Sequence, residues 1–277
     1  MKNHLVSFGH GYSSRAFTTT LDPEVWAITG TSRNGGDDTI AWPAASISTA
    51  LESATHILVS IAPDENGDVV LNAIGDEIAK TAPHLKWIGY LSTTGVYGDH
   101  GGEWVDEDTP LSPSTKRGEM RELAEGQWRK LAEQYDLPLH IFRLAGIYGP
   151  GRGPFSKVRN GTARRIIKKG QVFSRIHVDD IAQVLNASIA NPNPISVYNV
   201  CDNDPAPPQD VIGYAAQLLG APMPPEIDFE TADLSPMARS FYAESKKVRN
   251  DKIHSELGIK LLYPDYKSGL KAMLKEA

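Results

Sequence analysis

The chain is poor in the residues that build covalent or metal-bound scaffolds. A single cysteine, Cys201, leaves no internal disulfide to form, and the eight histidines show no HxxxH or comparable spacing that would hold a metal. No apolar run is long enough to cross a bilayer, and the opening MKNHLVSFG lacks the basic flank, long apolar stretch and cleavage site of a signal peptide. A cytoplasmic protein with no membrane partner is expected. Positive charge is not in excess either: the net charge of −6 argues against general nucleic-acid binding. No repeat or low-complexity tract is present. Within these limits, 277 residues at 40% hydrophobic content can bury a large core, as one large domain or one plus a smaller lobe.

The most informative stretch is LVSFGHGYSSRAFTTTL, Leu5 to Leu21, which reads as strand, tight glycine turn and helix. Gly9 permits a backbone angle that other residues resist, and Gly11 leaves no side chain between the backbone and an incoming diphosphate. The helix then points free N–H groups of Tyr12, Ser13 and Ser14 at that group. Ser14 stands where GxGxxG has its third glycine, so a plain turn with no ligand remains the alternative. About twenty residues on, the strand Val25 to Thr29 leaves through Thr31, Ser32 and Arg33 with no acid before Asp37. An acid there favours NAD and an arginine accommodates the 2′-phosphate of NADP, so NADP(H) is preferred and NAD(H) possible; a solvent-facing Arg33 is the plainer reading.

Further along, strands are expected at Thr39–Trp42, His56–Ala62 (ended by Pro63), Leu85–Leu91 and Pro138–Leu144, and helices at Ile47–Ala54, Asp68–Ala82 and Arg117–Gln134. The last of these helices carries Met120, Leu123, Ala124, Trp128 and Leu131 on one face, for the core or for a homodimer. This alternation predicts an α/β fold with a Rossmann-like doubly wound parallel sheet over residues 1–150, rejoined near 175–200. Residues 151–277 are expected to form mostly a smaller, partly interleaved substrate lobe, with a hairpin-like Arg164–Ile176, a helix capped by Asp179 running to Ala190, a strand Val197–Val200 and a helix Asp210–Leu219. From Leu137 to Val178 there is no acid, while Arg143, Arg152, Lys157, Arg159, Arg164, Arg165, Lys168, Lys169 and Arg175 all lie there. Such a run suggests an anionic, small-molecule or nucleotide-linked ligand, or else a solvated basic face. Cys201 reads as a small buried hydrophobe.

Four segments behind the glycine turn, LSTTGVYG (Leu91–Gly98), FRLAGIYGPG (Phe142–Gly151), RIHVDDIA (Arg175–Ala182) and VYNVCDNDPAP (Val197–Pro207), resemble an extended short-chain dehydrogenase/reductase of the NAD-dependent epimerase/dehydratase superfamily. The resemblance spans nearly the whole chain. It implies a dinucleotide against the turn, against Ser60, Ile61, Ala62 and Pro63, and against Leu144, Gly146 and Tyr148, with a substrate in the cleft beyond. It also implies a relay of hydroxyl, tyrosine and lysine, the last two spaced YxxxK. Thr93 takes the hydroxyl role, but SPSTKRGEMREL sets Arg117 at the tyrosine position and Arg121 at the lysine position. Arginine stays protonated and cannot shuttle a proton. Thr94 and Gly95 replace the acidic pair of the dehydratases, so sugar dehydration is not expected. Tyr97, Tyr148 and His177 are the remaining acid/base candidates, each equally readable as a packed structural residue. Two functions follow: an atypical NADP(H)-dependent oxidoreductase or epimerase-like enzyme, or a non-catalytic dinucleotide-responsive protein.

Overall fold

The structure, a computed structural model, describes residues 2–44 and 46–275. Its first half alternates as expected: β1 (Asn3–Phe8), α1 (Tyr12–Thr18), β2 (Trp26–Ser32), β3 (Thr39–Ala41), α2 (Ser46–Glu52), β4 (His56–Val59), α3 (Val69–Thr81), β5 (Trp87–Thr93), a short β6 (Trp104–Val105), α4 (Lys116–Tyr135) and β7 (Leu139–Leu144). Shorter elements follow: β8 (Gly146–Tyr148), α5 (Phe155–Arg159), β9 (Arg165–Ile167), β10 (Arg175–His177), α6 (Val178–Ala190), β11 (Ser196–Val200), α7 (Pro208–Leu218), β12 (Glu226–Asp228), α8 (Pro236–Phe241), β13 (Lys247–Val248), α9 (Asp251–Ser255) and α10 (Tyr266–Lys275).

Seven parallel strands form one sheet in the order β11-β7-β5-β4-β1-β2-β3. Strand side chains alternate between two apolar layers, as a sheet covered on both faces requires. Val6, Ile57, Ile88 and Ile141 pack with Ile47, Val70 and Trp128 from α2, α3 and α4. Leu5, Leu58, Trp87 and Phe142 pack with Phe17, Ile181 and Ile253 from α1, α6 and α9. Such a sheet gathers its ligand-binding loops at the carboxyl ends of the strands.

Three expectations are corrected. Arg164–Ile176 is not a hairpin: β9 pairs in parallel with β12, and β10 with β8, so each strand finds a partner distant in sequence. Asp179 does not cap α6. The capping residue is His177, whose side chain accepts from the Asp179 N–H at 3.3 Å, while Asp179 sits in the first turn and suits the positive helix end. On α4 the buried stripe is Ala124, Trp128 and Ala132, four residues apart, and Leu123, one residue off that stripe, is 46% exposed. The strand bounds also move: β5 runs to Thr93, so that residue closes the strand, and β4 stops at Val59, which frees Ser60–Pro63 as a loop. Cys201 is buried, as expected.

Candidate active site

A cavity of about 1490 Å³ lies over the carboxyl ends of β1, β4, β5 and β7 and extends under β9, β12 and α8. At its first end is the glycine turn. Gly9 has φ +80°, and a Cβ there would stand 2.9 Å from Ile61 Cγ1, so the position is closed to other residues on both counts. Three hydroxyls strap the turn: the Gly9 N–H donates to Thr31 Oγ1 at 3.0 Å, Ser60 Oγ donates to the Gly9 carbonyl at 2.5 Å, and Ser14 Oγ meets Ser60 Oγ at 3.0 Å. Ser14 thus replaces the third glycine with a side chain small enough to pack and polar enough to be bonded. A Cβ on Gly11 would meet only the Gly9 carbonyl, at 3.8 Å, and no side chain caps α1. The open space above Gly11 and the uncapped amides fit a diphosphate. The volume exceeds the roughly 300–1,000 Å³ of a single-ligand pocket, leaving room for a dinucleotide and a second molecule.

The middle of the cavity is built by β5 and α4. Thr93 Oγ1 accepts from the Gly95 N–H at 3.2 Å, so its own hydrogen is free to be donated into the space it lines. Arg121 Nη1 donates to Tyr90 Oη at 3.0 Å, to the Leu91 carbonyl at 3.0 Å and to the Ile61 carbonyl at 3.5 Å. That fixes a permanent positive charge between the ends of β4 and β5. Arg117, exposed, stacks 5.6 Å above the ring of Phe241 from α8.

Of the residues expected at the site, Gly9, Gly11, Tyr12, Ser13, Ser60, Ala62, Pro63, Thr93, Arg117, Arg121, Leu144, Gly146 and Tyr148 line this one cavity. Ser14 and Thr31 serve the turn from behind it. Ile61 packs on Gly9, Ser32 bonds Thr39 Oγ1 at 2.9 Å, and Arg33 is exposed outside the lining.

Tyr97 is a correction. It is fully buried, donates to Asn199 Oδ1 at 2.8 Å and accepts from Arg143 Nη1 at 2.9 Å, and burial pushes its pKa up to about 12 against the opposing pull of Arg143. It has no access to a substrate. His177 is likewise sealed, between Tyr148 and Tyr263, and burial lowers its pKa. Tyr148 faces the cavity, but burial and then the charges of Asp202, Asp180 and Asp265 push its pKa up, and its hydroxyl donates to the Asp265 carbonyl at 3.4 Å.

The basic run proves dispersed. Arg143 pairs with Glu125 at 2.8 Å, Arg165 with Glu226 at 2.9 Å, and Lys168 donates to the Tyr242 carbonyl; Arg152, Lys157, Arg164 and Arg175 line the cavity. Sequence reasoning missed Lys246, Tyr242 and Tyr266, which also line it. They come from stretches without a motif, and only the chain's return over the sheet brings them in.

A profile of the NAD dependent epimerase/dehydratase family matches residues 38–201, a range that begins beyond the glycine turn. The solved structure of a functionally unknown conserved protein from Silicibacter pomeroyi DSS is 57% identical, covers 100% of this chain and 99% of its own, and superposes with a TM-score of 0.95. Protein YeeZ of Escherichia coli (strain K12) is 29% identical over 226 residues, 78% of this chain and 74% of that protein. A 3-diazoavenalumate denitrifying reductase from Streptomyces sp is 27% identical over 183 residues, 60% of this chain and 58% of that protein.

Proposed function

This chain belongs to the NAD dependent epimerase/dehydratase family, and from that premise we propose that it is an NADP(H)-dependent oxidoreductase acting on a carbonyl or hydroxyl of a small anionic substrate. The observation that carries the reading is the continuity of one cavity from Gly9 and Gly11 to Thr93 and Arg121. A nicotinamide dinucleotide would lie along Gly9, Gly11, Tyr12 and Ser13 and, when bound, supply or take the hydride. Arg121, already anchored to Leu91, would hold ribose hydroxyls in the place the family gives to lysine. Thr93 donates a hydrogen bond to the reacting oxygen, the fixed charge of Arg121 favours the alkoxide that hydride addition leaves there, and water entering the open cavity supplies the proton that completes the alcohol. Tyr97 is sealed in and takes no part in proton transfer. The reductase relative supports reduction over epimerisation.

The experiment mixes the protein with NADPH and follows nicotinamide fluorescence, then adds a panel of aldehydes, ketones and nucleotide sugars. Saturable NADPH binding and a substrate-dependent oxidation that Thr93→Val slows about 100-fold are expected. Failure to bind either NADPH or NADH overturns the proposal. Binding with a silent panel points to the dinucleotide-responsive alternative.

A further inference from the structure

The far end of the cavity holds a charge that the protein leaves unanswered. Arg175 of β10 crosses over β8, where a Cβ on its register partner Gly146 would stand 3.8 Å from its Cγ. Its Nη1 donates to the carbonyls of Phe173 and Ala206, both at 2.9 Å. Among the described residues Arg175 forms no ion pair, and no protein acceptor meets the edge formed by Nε and Nη2. Asp202 is the strongest acidic influence on it, yet that side chain is 1% exposed, has an unpartnered Oδ2, and is lifted by burial to about 8. At neutral pH it therefore keeps its proton and does not balance the guanidinium. A half-buried cation in the cavity wall with a free guanidinium edge and no counter-charge is a ready partner for an anion.

The surroundings say what kind of anion. Arg175 stacks 5.9 Å from the ring of Phe173, which meets Tyr242 edge-on at 5.7 Å, and its charge reaches the phenols of Tyr148, Tyr242 and Tyr266. Ile166 and Ile227 complete an apolar wall. Of the other cations that line the cavity, Lys246 is committed to the Gly98 carbonyl and to Glu244, both at 2.6 Å, Arg164 donates to the carbonyls of Gly161 and Ala163, and Arg152 stacks 5.6 Å from the ring of Tyr12 beside the glycine turn. One guanidinium edge matches one carboxylate, whereas the diphosphate of a nucleotide sugar brings two charges. Thr93 is the register partner of Leu144, two residues before Gly146. The side chains of Thr93 and Arg175 both line the same cavity.

We propose that the substrate is a compact aromatic carboxylate, its carboxylate held by the Nε–Nη2 edge of Arg175 and its ring by the tyrosine-lined wall, with the reacting group turned to Thr93. This deepens the oxidoreductase reading and rests on it.

The test is calorimetric titration of the full-length protein with cinnamate, cinnamamide, phenyl phosphate and UDP-glucose, each with and without NADPH. Cinnamate should bind at least 10-fold more tightly than its amide and more tightly than either phosphate compound. Arg175→Gln should weaken cinnamate at least 10-fold while leaving NADPH affinity within 2-fold, and Arg175→Lys should restore part of the loss. Should Arg175→Gln misfold, Tyr242→Ala and Tyr266→Ala, which remove rings from that wall, should each weaken cinnamate several-fold. No heat from millimolar cinnamate, equal binding of acid and amide, a phosphate compound binding best, or cinnamate affinity indifferent to Arg175 would each overturn the inference. Arg175-dependent cinnamate binding in a protein that ignores NADPH overturns the cofactor reading alone.

Discussion

Beneath the cavity, Glu125 of α4 and Arg143 of β7 form an ion pair with side chains 1% and 3% exposed. Ser92 Oγ donates to Glu125 Oε1 at 2.5 Å, and Arg143 Nη1 donates to the Tyr97 hydroxyl, so the residue before Thr93 and the turn after it hang on one charge pair. Removing one partner strands the other charge in the core. Glu125→Ala is expected to lower stability by about 3–5 kcal/mol, read as a shifted midpoint in urea unfolding; replacing both partners by Met should recover much of that loss. That Thr93 and Arg121 line the cavity was legible because their positions follow from local spacing around LSTTGVYG and the start of α4. The pair was not: its members lie 18 residues apart on different elements, and each alone reads as a surface charge. Arg33 is a case where sequence and structure meet only at the rim. It is exposed at the exit of β2, while the neighbouring Asp38 is engaged by Arg15. If Arg33 meets the 2′-phosphate, Arg33→Ala should weaken NADPH about 10-fold and NADH hardly at all, consistent with one charged hydrogen bond. An unchanged affinity ratio would refute that role.

At the scale of elements, the site depends on how closely the start of α4 abuts the turn that follows β5. The contact is made through Gly118, where a Cβ would stand 2.7 Å from Pro113 Cβ and 2.8 Å from the Gly95 carbonyl. Eight residues on, Gly126 lies in the same helix with nothing within 4 Å of such a Cβ. The two alanine substitutions should therefore differ in sign. Gly118→Ala forces the helix from the Thr93–Tyr97 turn and should cost about 1–3 kcal/mol, with weakened NADPH oxidation. Gly126→Ala relieves only the helix-propensity penalty and should gain about 0.5–1 kcal/mol. Thermal unfolding of both variants checks the pair, and a loss at Gly126 would contradict the open space seen there. The strands of the central sheet were readable because each carries its own signal, a run such as His56–Val59 buried on both faces. The small parallel pairs were not. β9 meets β12 about sixty residues away, and the Lys168–Gly170 stretch between β9 and β10 imitates a hairpin turn although its flanking strands face different partners.

For the molecule as a whole, buried titratable groups set opposing limits on stability. His140 is fully buried; its Nε2 accepts from the Asn193 N–H at 3.0 Å, so its proton sits on Nδ1, donated to the Pro138 carbonyl. A second proton would oppose that amide. Burial lowers both His140 and His56 from 6.5 to about 4. Between these values the unfolded chain binds more protons than the fold, so stability falls as pH drops from about 6.5 to about 4. Asp202 acts in the other direction. Raised from 3.8 to about 8, it keeps its proton in the fold where the unfolded chain has lost it, and stability falls as pH rises from about 4 to about 8. Asp202→Asn isolates this second limb. Asparagine stays neutral, and its Oδ1 can accept from the Asp204 N–H as the carboxyl does. Urea unfolding from pH 4 to pH 9 should find the variant and the natural protein nearly equal at pH 4, the variant gaining steadily to about pH 8 by on the order of 5 kcal/mol, and a constant difference above. A difference that stays flat across the whole range would mean that Asp202 is ionised in the fold and answers Arg175 itself, which would also leave no uncompensated charge at that end of the cavity for a substrate to meet.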